Sequence, residues 1–290
     1  MGLETLGGPR PRPRASVAAS PGRWFIMRSM PDPTALLSLP PIWRESRFGG
    51  ELAALRRDPV LQGRGIPHGD GSPVLLVPGY LAGDSSLATM TAWLRRLGYR
   101  TSRAGIRLNT DCSTASINRL EERLERLADR YGRRVAIVGQ SRGGTFARAL
   151  AQRRPDLVSG IACLGSPMTD PLAIHPLVRL NVQVVGRLGG LGLPGLFTPE
   201  CFDGECCAEL RESAERPFPP EVGFLSIYSR SDGIVRWRSC LDPAAETVEV
   251  DSSHCGMSVH RDVYRVVAPA LARFAAAAAA TSGAAAIRAA

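Results

Sequence analysis

Three short stretches of this chain, Val74-Leu75-Leu76-Val77, Val135-Ala136-Ile137-Val138 and Val158 to Leu164, are apolar or uncharged at every position. A strand with one wet face alternates polar with apolar, so unbroken runs of this length describe strands covered on both sides. Between them the spacing changes to three and four. Leu87, Met90, Trp93, Leu94 and Leu97 mark a helix that Gly98 would end, and charged amphipathic text follows from Ser113 to Tyr131. Another helix is expected from Gly143 to Arg154, and a closing one from Val263 to Phe274. Further strands are expected at Tyr99 to Ala104, Phe224 to Tyr228 and Thr247 to Val250. Strands alternating with helices make this an α/β chain: a mostly parallel sheet with helices on both faces. No internal repeat is visible.

Residues 1–33, rich in Pro, Arg, Gly and Ser, read as a disordered arm, and 34–70 as an N-terminal extension. The α/β domain is expected over 71–275, with an Ala-rich tail over 276–290. Within it, Pro167 to Pro220 holds neither period for long. An apolar segment of that length reads as a cover, about 168–220, lying over the carboxyl edge of the sheet. Leu177, Val178, Leu180, Val182, Val184, Val185 and Leu188 would supply its one or two short helices.

Composition narrows the partners. With 44% hydrophobic and 22% charged residues the chain is neither disordered nor collagen-like nor a disulfide knot. No run of eighteen uncharged apolar residues appears, so no transmembrane segment is expected. The first thirty residues lack the apolar stretch of about 7 to 15 residues that a secretory signal needs, which points to a cytoplasmic protein with at most peripheral membrane contact. The net charge of +9 comes from Arg alone, since the sequence contains no Lys. These arginines are interleaved with acids, as in Glu121-Glu122-Arg123-Leu124-Glu125-Arg126, and not with aromatics, so no nucleic-acid partner is expected.

Gly139-Gln140-Ser141-Arg142-Gly143 follows a buried strand and opens a helix. In that setting G-x-S-x-G describes a sharp turn that projects a serine hydroxyl, the small glycines letting backbone pass close. A serine needs a base, and the chain has four histidines. His68 precedes the first strand and His175 falls in the cover. His254, just past the last strand, is the candidate, with His260 as runner-up. Asp232, on the loop after Phe224 to Tyr228, is placed to orient it; Asp251, Asp242 and Asp203 are poorer placed. The order Ser141, Asp232, His254 is that of one of the three serine-triad arrangements. Backbone N–H groups of Arg142 and of Tyr80, in Val77-Pro78-Gly79-Tyr80, are the candidate oxyanion donors, with Leu81 one step away.

Four stretches, Val77-Pro78-Gly79-Tyr80 with Gly83-Asp84-Ser85-Ser86, Gly139-Gln140-Ser141-Arg142-Gly143-Gly144, Tyr228-Ser229-Arg230-Ser231-Asp232-Gly233-Ile234-Val235 and Ser253-His254-Cys255-Gly256-Met257, resemble the α/β-hydrolase superfamily over roughly residues 70 to 275. The likeness is to bacterial esterase/lipase-like members related to class 2 lipases. It implies Ser141 as nucleophile, Asp232 as acid and His254 as base, cleaving a small-molecule carboxylic or lipid ester through an acyl-enzyme without metal or organic cofactor. The same triad serves an acyltransferase, and the fold also serves non-catalytic binding proteins. Two positions depart from the pattern. Pro78-Gly79 stands where many lipases have His-Gly, and Arg142 stands where an apolar residue is usual, leaving its side chain either to meet an anionic substrate or to form a surface ion pair.

Of seven cysteines only Cys201, Cys206 and Cys207 cluster in sequence. Four well-spaced zinc ligands are not apparent, so no metal is expected. A Cys201–Cys206 disulfide would suit an oxidising compartment. Cys112, Cys163, Cys240 and Cys255 read as small apolar fillers, the last beside the candidate base.

Overall fold

The computed structural model describes residues 40–204 and 207–289. The arm over 1–33, the first residues of the extension and Cys206 lie outside them. The chain enters through a 3-10 turn, Ile42–Arg47, and helix α1, Phe48–Arg57, which the sequence reading left as an unassigned preamble. Then strands β1 (Pro73–Val77), β2 (Arg100–Arg103), β3 (Val135–Gln140) and β4 (Val158–Leu164) alternate with helices α2 (Ala88–Arg96), α3 (Ser113–Tyr131) and α4 (Arg142–Arg153). An insertion carries α5 (Pro176–Gly190), α6 (Glu200–Asp203) and α7 (Ala208–Glu215) before β5 (Gly223–Tyr228), β6 (Glu246–Glu249) and helix α8 (Arg261–Ala289).

The six strands pair in parallel, in the order β2-β1-β3-β4-β5-β6. The apolar runs are explained by two separate core layers. Val74 and Leu76 of β1 and Ala136 and Val138 of β3 pack with α2 and α8, while Leu75, Val77, Val135 and Ile137 pack with α3 and α4. Either face exposed would force alternate positions to be polar. In the first layer Trp93 lies 4.5 Å from the ring of Tyr264 and donates its indole N–H to Val60 O at 2.8 Å.

Register sets the site. Val77 stands opposite Gly139, Gln140 opposite Leu164, and Leu164 opposite Ile227, so the carboxyl ends of β1, β3, β4 and β5 finish level. From β1 the chain first moves outward to β2 and then returns to β3 on the other side. Such a reversal opens a crevice at the carboxyl ends of the two central strands, where ligands bind in open α/β sheets.

Two expectations change. β6 lies over Glu246–Glu249, one residue from Thr247 to Val250, and is a mostly exposed edge strand, because one neighbour and one covered face suffice there. Helix α8 runs past Phe274 into the Ala-rich stretch. By length and composition alone Arg261–Thr281 could cross a membrane; here Val263, Tyr264, Val267, Ala270, Leu271 and Phe274 are buried in the core.

Candidate active site

Ser141 closes β3 and caps α4 with φ +52 and ψ −124, a region a non-glycine residue occupies only under constraint. The constraint is packing on both sides. A Cβ at Gly143 would lie 2.2 Å from Val77 O, and one at Gly139 would lie 2.5 Å from Gly143 O, so helix α4 can start against β1 only with glycine at both places. Ser141 N donates to Leu164 O at 2.8 Å, and its carbonyl accepts from Gly144 N at 2.9 Å, holding the turn.

His254 Nδ1 and Asp232 Oδ2 are 2.7 Å apart, with both side chains buried. The other carboxylate oxygen of Asp232 accepts from Ile234 N at 2.8 Å and Val235 N at 2.7 Å, which fixes its plane. Gln140, next to Ser141, donates Nε2–H to the His254 carbonyl at 3.1 Å, so the elbow and the histidine loop are tied. Among the described residues no hydrogen bond joins Ser141 Oγ to His254; such bonds often tighten only when substrate arrives. Burial pulls the imidazole pKa down, but the Asp232 carboxylate outweighs it and leaves the group above its ordinary 6.5.

The competitors are engaged elsewhere. His260 sits 3.9 Å from Asp262, His68 is exposed, and His175 caps α5 by accepting Leu177 N at 3.1 Å. Asp242 forms a buried ion pair with Arg148 at 2.9 Å. Asp251 pairs with Arg47 at 3.0 Å, and that bond pulls its carboxyl down to about 2. The side chain of Asp203 lies outside the described residues.

The Arg142 side chain makes no surface ion pair among the described residues. From the first turn of α4 it reaches back into the loop before α3, where Nη1 donates to Asn109 O (2.9 Å) and Oδ1 (3.1 Å), and Nη2 to Asp111 O (2.7 Å) and Ser113 Oγ (3.0 Å). Its guanidinium lies over the rings of Phe146 and Phe197, at 4.9 and 5.5 Å. Burial lowers its pKa to about 10. Asn109 in turn donates Nδ2–H to Pro78 O at 2.8 Å, joining this loop to the one after β1. There Gly79 passes Ser141 closely, a Cβ on it falling 3.1 Å from that of the serine. Neither Tyr80 N–H nor Arg142 N–H donates a hydrogen bond among the described residues.

The sequence reading missed the brace. Glu45, in the entry turn, accepts three backbone N–H groups: Gly233 (3.0 Å) and His254 (2.9 Å) on Oε1, and Cys255 (2.9 Å) on Oε2. Glu51 of α1 accepts Ser253 N at 2.8 Å and Ser253 Oγ at 2.6 Å, and is itself buried. The loops that carry Asp232 and His254 are thus clamped from the extension. Cys255 is exposed and held through its backbone, not a filler; Cys163 and Cys240 are buried as expected. Gly165, ending β4 at φ +55, leaves room for the pair: a Cβ there would lie 3.1 Å from both Asp232 Oδ2 and His254 Nδ1.

A family model of the alpha/beta hydrolase fold matches residues 73–201, from β1 into α6. The chain has the α/β-hydrolase fold. Solved structures of that fold overlay most of it at low identity. The mature form of the Bacillus licheniformis lipase BlEst2 is 16% identical, covering 71% of this chain and 94% of its own, with TM-score 0.53. A soluble variant of monoglyceride lipase from Saccharomyces cerevisiae is 14% identical over 72% and 90%, with TM-score 0.51. No match is found among curated proteins. Here the turn after β3 and the loops after β5 and β6 meet at one edge, where His254 bonds Asp232 and Gln140, next to Ser141, bonds the His254 carbonyl.

Proposed function

We propose that the chain is a serine hydrolase of carboxylic esters, with Ser141 as nucleophile, His254 as base and Asp232 as its orienting acid. The observation that carries this reading is Ser141 held at φ +52 on a strand-to-helix turn beside a buried His254–Asp232 pair. An ordinary turn serine has no cause to bear that strain. Ser141 Oγ attacks the ester carbonyl carbon while His254 Nε2 takes its proton, and the negative oxygen is met by the free N–H groups of Tyr80 and Arg142. Collapse breaks the carbonyl–alkoxy bond; the imidazolium returns its proton to the departing alcohol and leaves an acyl-serine. Water then attacks by the same route, and the carboxylic acid departs.

The insertion supports an apolar acyl group. Tyr80 donates its hydroxyl to Asn181 Oδ1 at 2.9 Å, which sets α5 beside the oxyanion loop, and Leu177, Leu180, Val184 and Leu188 form an exposed apolar stripe on α5. The test is turnover of p-nitrophenyl esters of graded acyl length together with labelling by a fluorophosphonate. Parent protein labels and turns over with a burst; Ser141→Ala does neither. Full turnover by Ser141→Ala, or none by the parent with any ester, removes the proposal.

A further inference from the structure

Outside the triad, the strongest unassigned chemistry lies on the far side of Arg142. The sulfur atoms of Cys112, Cys201 and Cys207 all lie within 4.8 Å of one another, although Cys112 and Cys207 are 95 residues apart in the chain. They come from three places: Cys112 precedes α3, Cys201 is in α6, and Cys207 precedes α7. The separation excludes a disulfide and suits a shared metal. Cys112 Sγ and Cys207 Sγ are 3.8 Å apart. A disulfide needs about 2.05 Å. Two thiolates on one tetrahedral zinc, each about 2.3 Å from it, stand about 3.8 Å apart. Two hydroxyls also address the sulfurs, Thr114 Oγ1 at 3.7 Å from Cys207 Sγ and Thr198 Oγ1 at 3.9 Å from Cys201 Sγ, as outer partners of metal-bound thiolates do.

Charge gives an independent reason. Arg142 is a half-buried cation whose four hydrogen bonds all go to neutral oxygens. The nearest carboxylate, Asp111, is spent on Arg119 at 2.6 Å and on Cys112 N at 2.7 Å. Buried charges are ordinarily paired. Cys207 and Cys112 lie within electrostatic reach of the guanidinium, and three thiolates on one divalent cation carry a net negative charge that would balance it.

We propose that Cys112, Cys201 and Cys207 bind one zinc ion, and that this ion fastens the insertion to the loop that holds Arg142. The same seam is already stitched by Phe197 N to Thr110 O at 2.7 Å and Thr110 Oγ1 to Gly195 O at 2.9 Å. The ion is structural, one loop away from the serine, and its presence does not depend on ester hydrolysis.

The test measures metal and not activity. Protein made with zinc in the medium and purified without chelator should hold about one zinc per chain by elemental mass spectrometry. Cys112→Ser and Cys207→Ser should each lower that at least roughly tenfold, as loss of a first ligand does where even outer partners cost about 10–100-fold in affinity. Cys255→Ser, distant in the fold, should keep its zinc. Because a ligand variant can fail to fold, the parent protein is also titrated with a mercurial thiol reagent in the presence of a chromophoric chelator, and zinc should be released as thiols react. Ser141→Ala should bind zinc as the parent does, which separates this proposal from the catalytic one. Parent protein that stays below a tenth of an equivalent after dialysis against zinc, or an intact mass with a Cys112–Cys207 disulfide, overturns it.

Discussion

Glu45 lies outside the part of the chain that carries the triad, yet removing its carboxylate should cost both stability and rate. Its two oxygens accept three N–H groups, on Gly233, His254 and Cys255. Hydrogen bonds to a charged group contribute about 1.5–3 kcal/mol each, and Glu45 is half-buried, so water recovers part of the loss when it is removed. For Glu45→Ala we expect a net cost of about 2–4 kcal/mol, which for a domain of this size lowers Tm by about 4–16 °C. The rate should fall for a separate reason. Gly233 follows Asp232, and the N–H of His254 is itself one of the three, so the clamp fixes the base against the serine; misplacement by about 1 Å can cost about 100-fold. kcat should therefore fall about 10- to 100-fold with little change in KM.

Glu45→Gln is the sharper probe. Oε1 serves two donors and Oε2 the third, so whichever way the amide is turned, its NH2 faces at least one backbone N–H. With the amide oxygen in the Oε1 position the Cys255 bond is lost and the other two survive uncharged. The variant should fall between parent and alanine in both Tm and kcat. The assay is thermal unfolding beside ester turnover at fixed pH. Glu45→Ala with parental Tm and kcat would refute the clamp, and Glu45→Gln equal to the parent would refute the charge argument.

Other expectations rest on groups already described. The base must be neutral to accept a proton and Asp232 raises its pKa, so kcat/KM should rise with pH to a half-maximum above 6.5, and Asp232→Asn should shift that midpoint down while cutting kcat by about 10⁴. The sign for stability is opposite: the pair's extra stabilisation is present below about 6.5 and fades as pH rises through the raised value, which urea midpoints at several pH values would show. Arg142→Leu should lower kcat/KM alike for neutral and anionic esters, because the guanidinium faces Asn109 and Asp111; a loss confined to anionic esters would restore a substrate contact. Asp242→Ala leaves Arg148 buried without its partner and should destabilise by about 3–5 kcal/mol with kcat unchanged, read by denaturant unfolding.

The sequence carried the sheet and the elbow because both leave local marks. Val74 to Val77 and Val135 to Val138 must be apolar throughout to face two cores, and Gly139, Ser141 and Gly143 sit at fixed spacing because α4 starts against β1. Asp232 and His254 were picked by position after their strands, and the structure pairs them at 2.7 Å. What the reading missed is held by bonds without period. Glu45 and Glu51 sit on a charged, irregular stretch, and a carboxylate bonding backbone N–H groups requires no particular residue at the other end. Arg142 looked unusual because its partners, the carbonyls of Asn109 and Asp111 and the side chains of Asn109 and Ser113, lie in a distant loop. Cys112 passed as a filler for the same reason, its sulfur neighbour Cys207 lying 95 residues on.

The clamp has a bearing on synthesis. Glu45 and His254 are separated by 209 residues. At about 5–20 residues per second a ribosome needs roughly 10–40 s to travel that distance. Within that time strands β1 to β4 and the turn that holds Ser141 are made, before the loops of Asp232 and His254 have emerged to meet Glu45. On the proposed function, a nascent chain carries Ser141 ahead of its acid and base, and competence arrives with the His254 loop, when a segment made early closes over one made late.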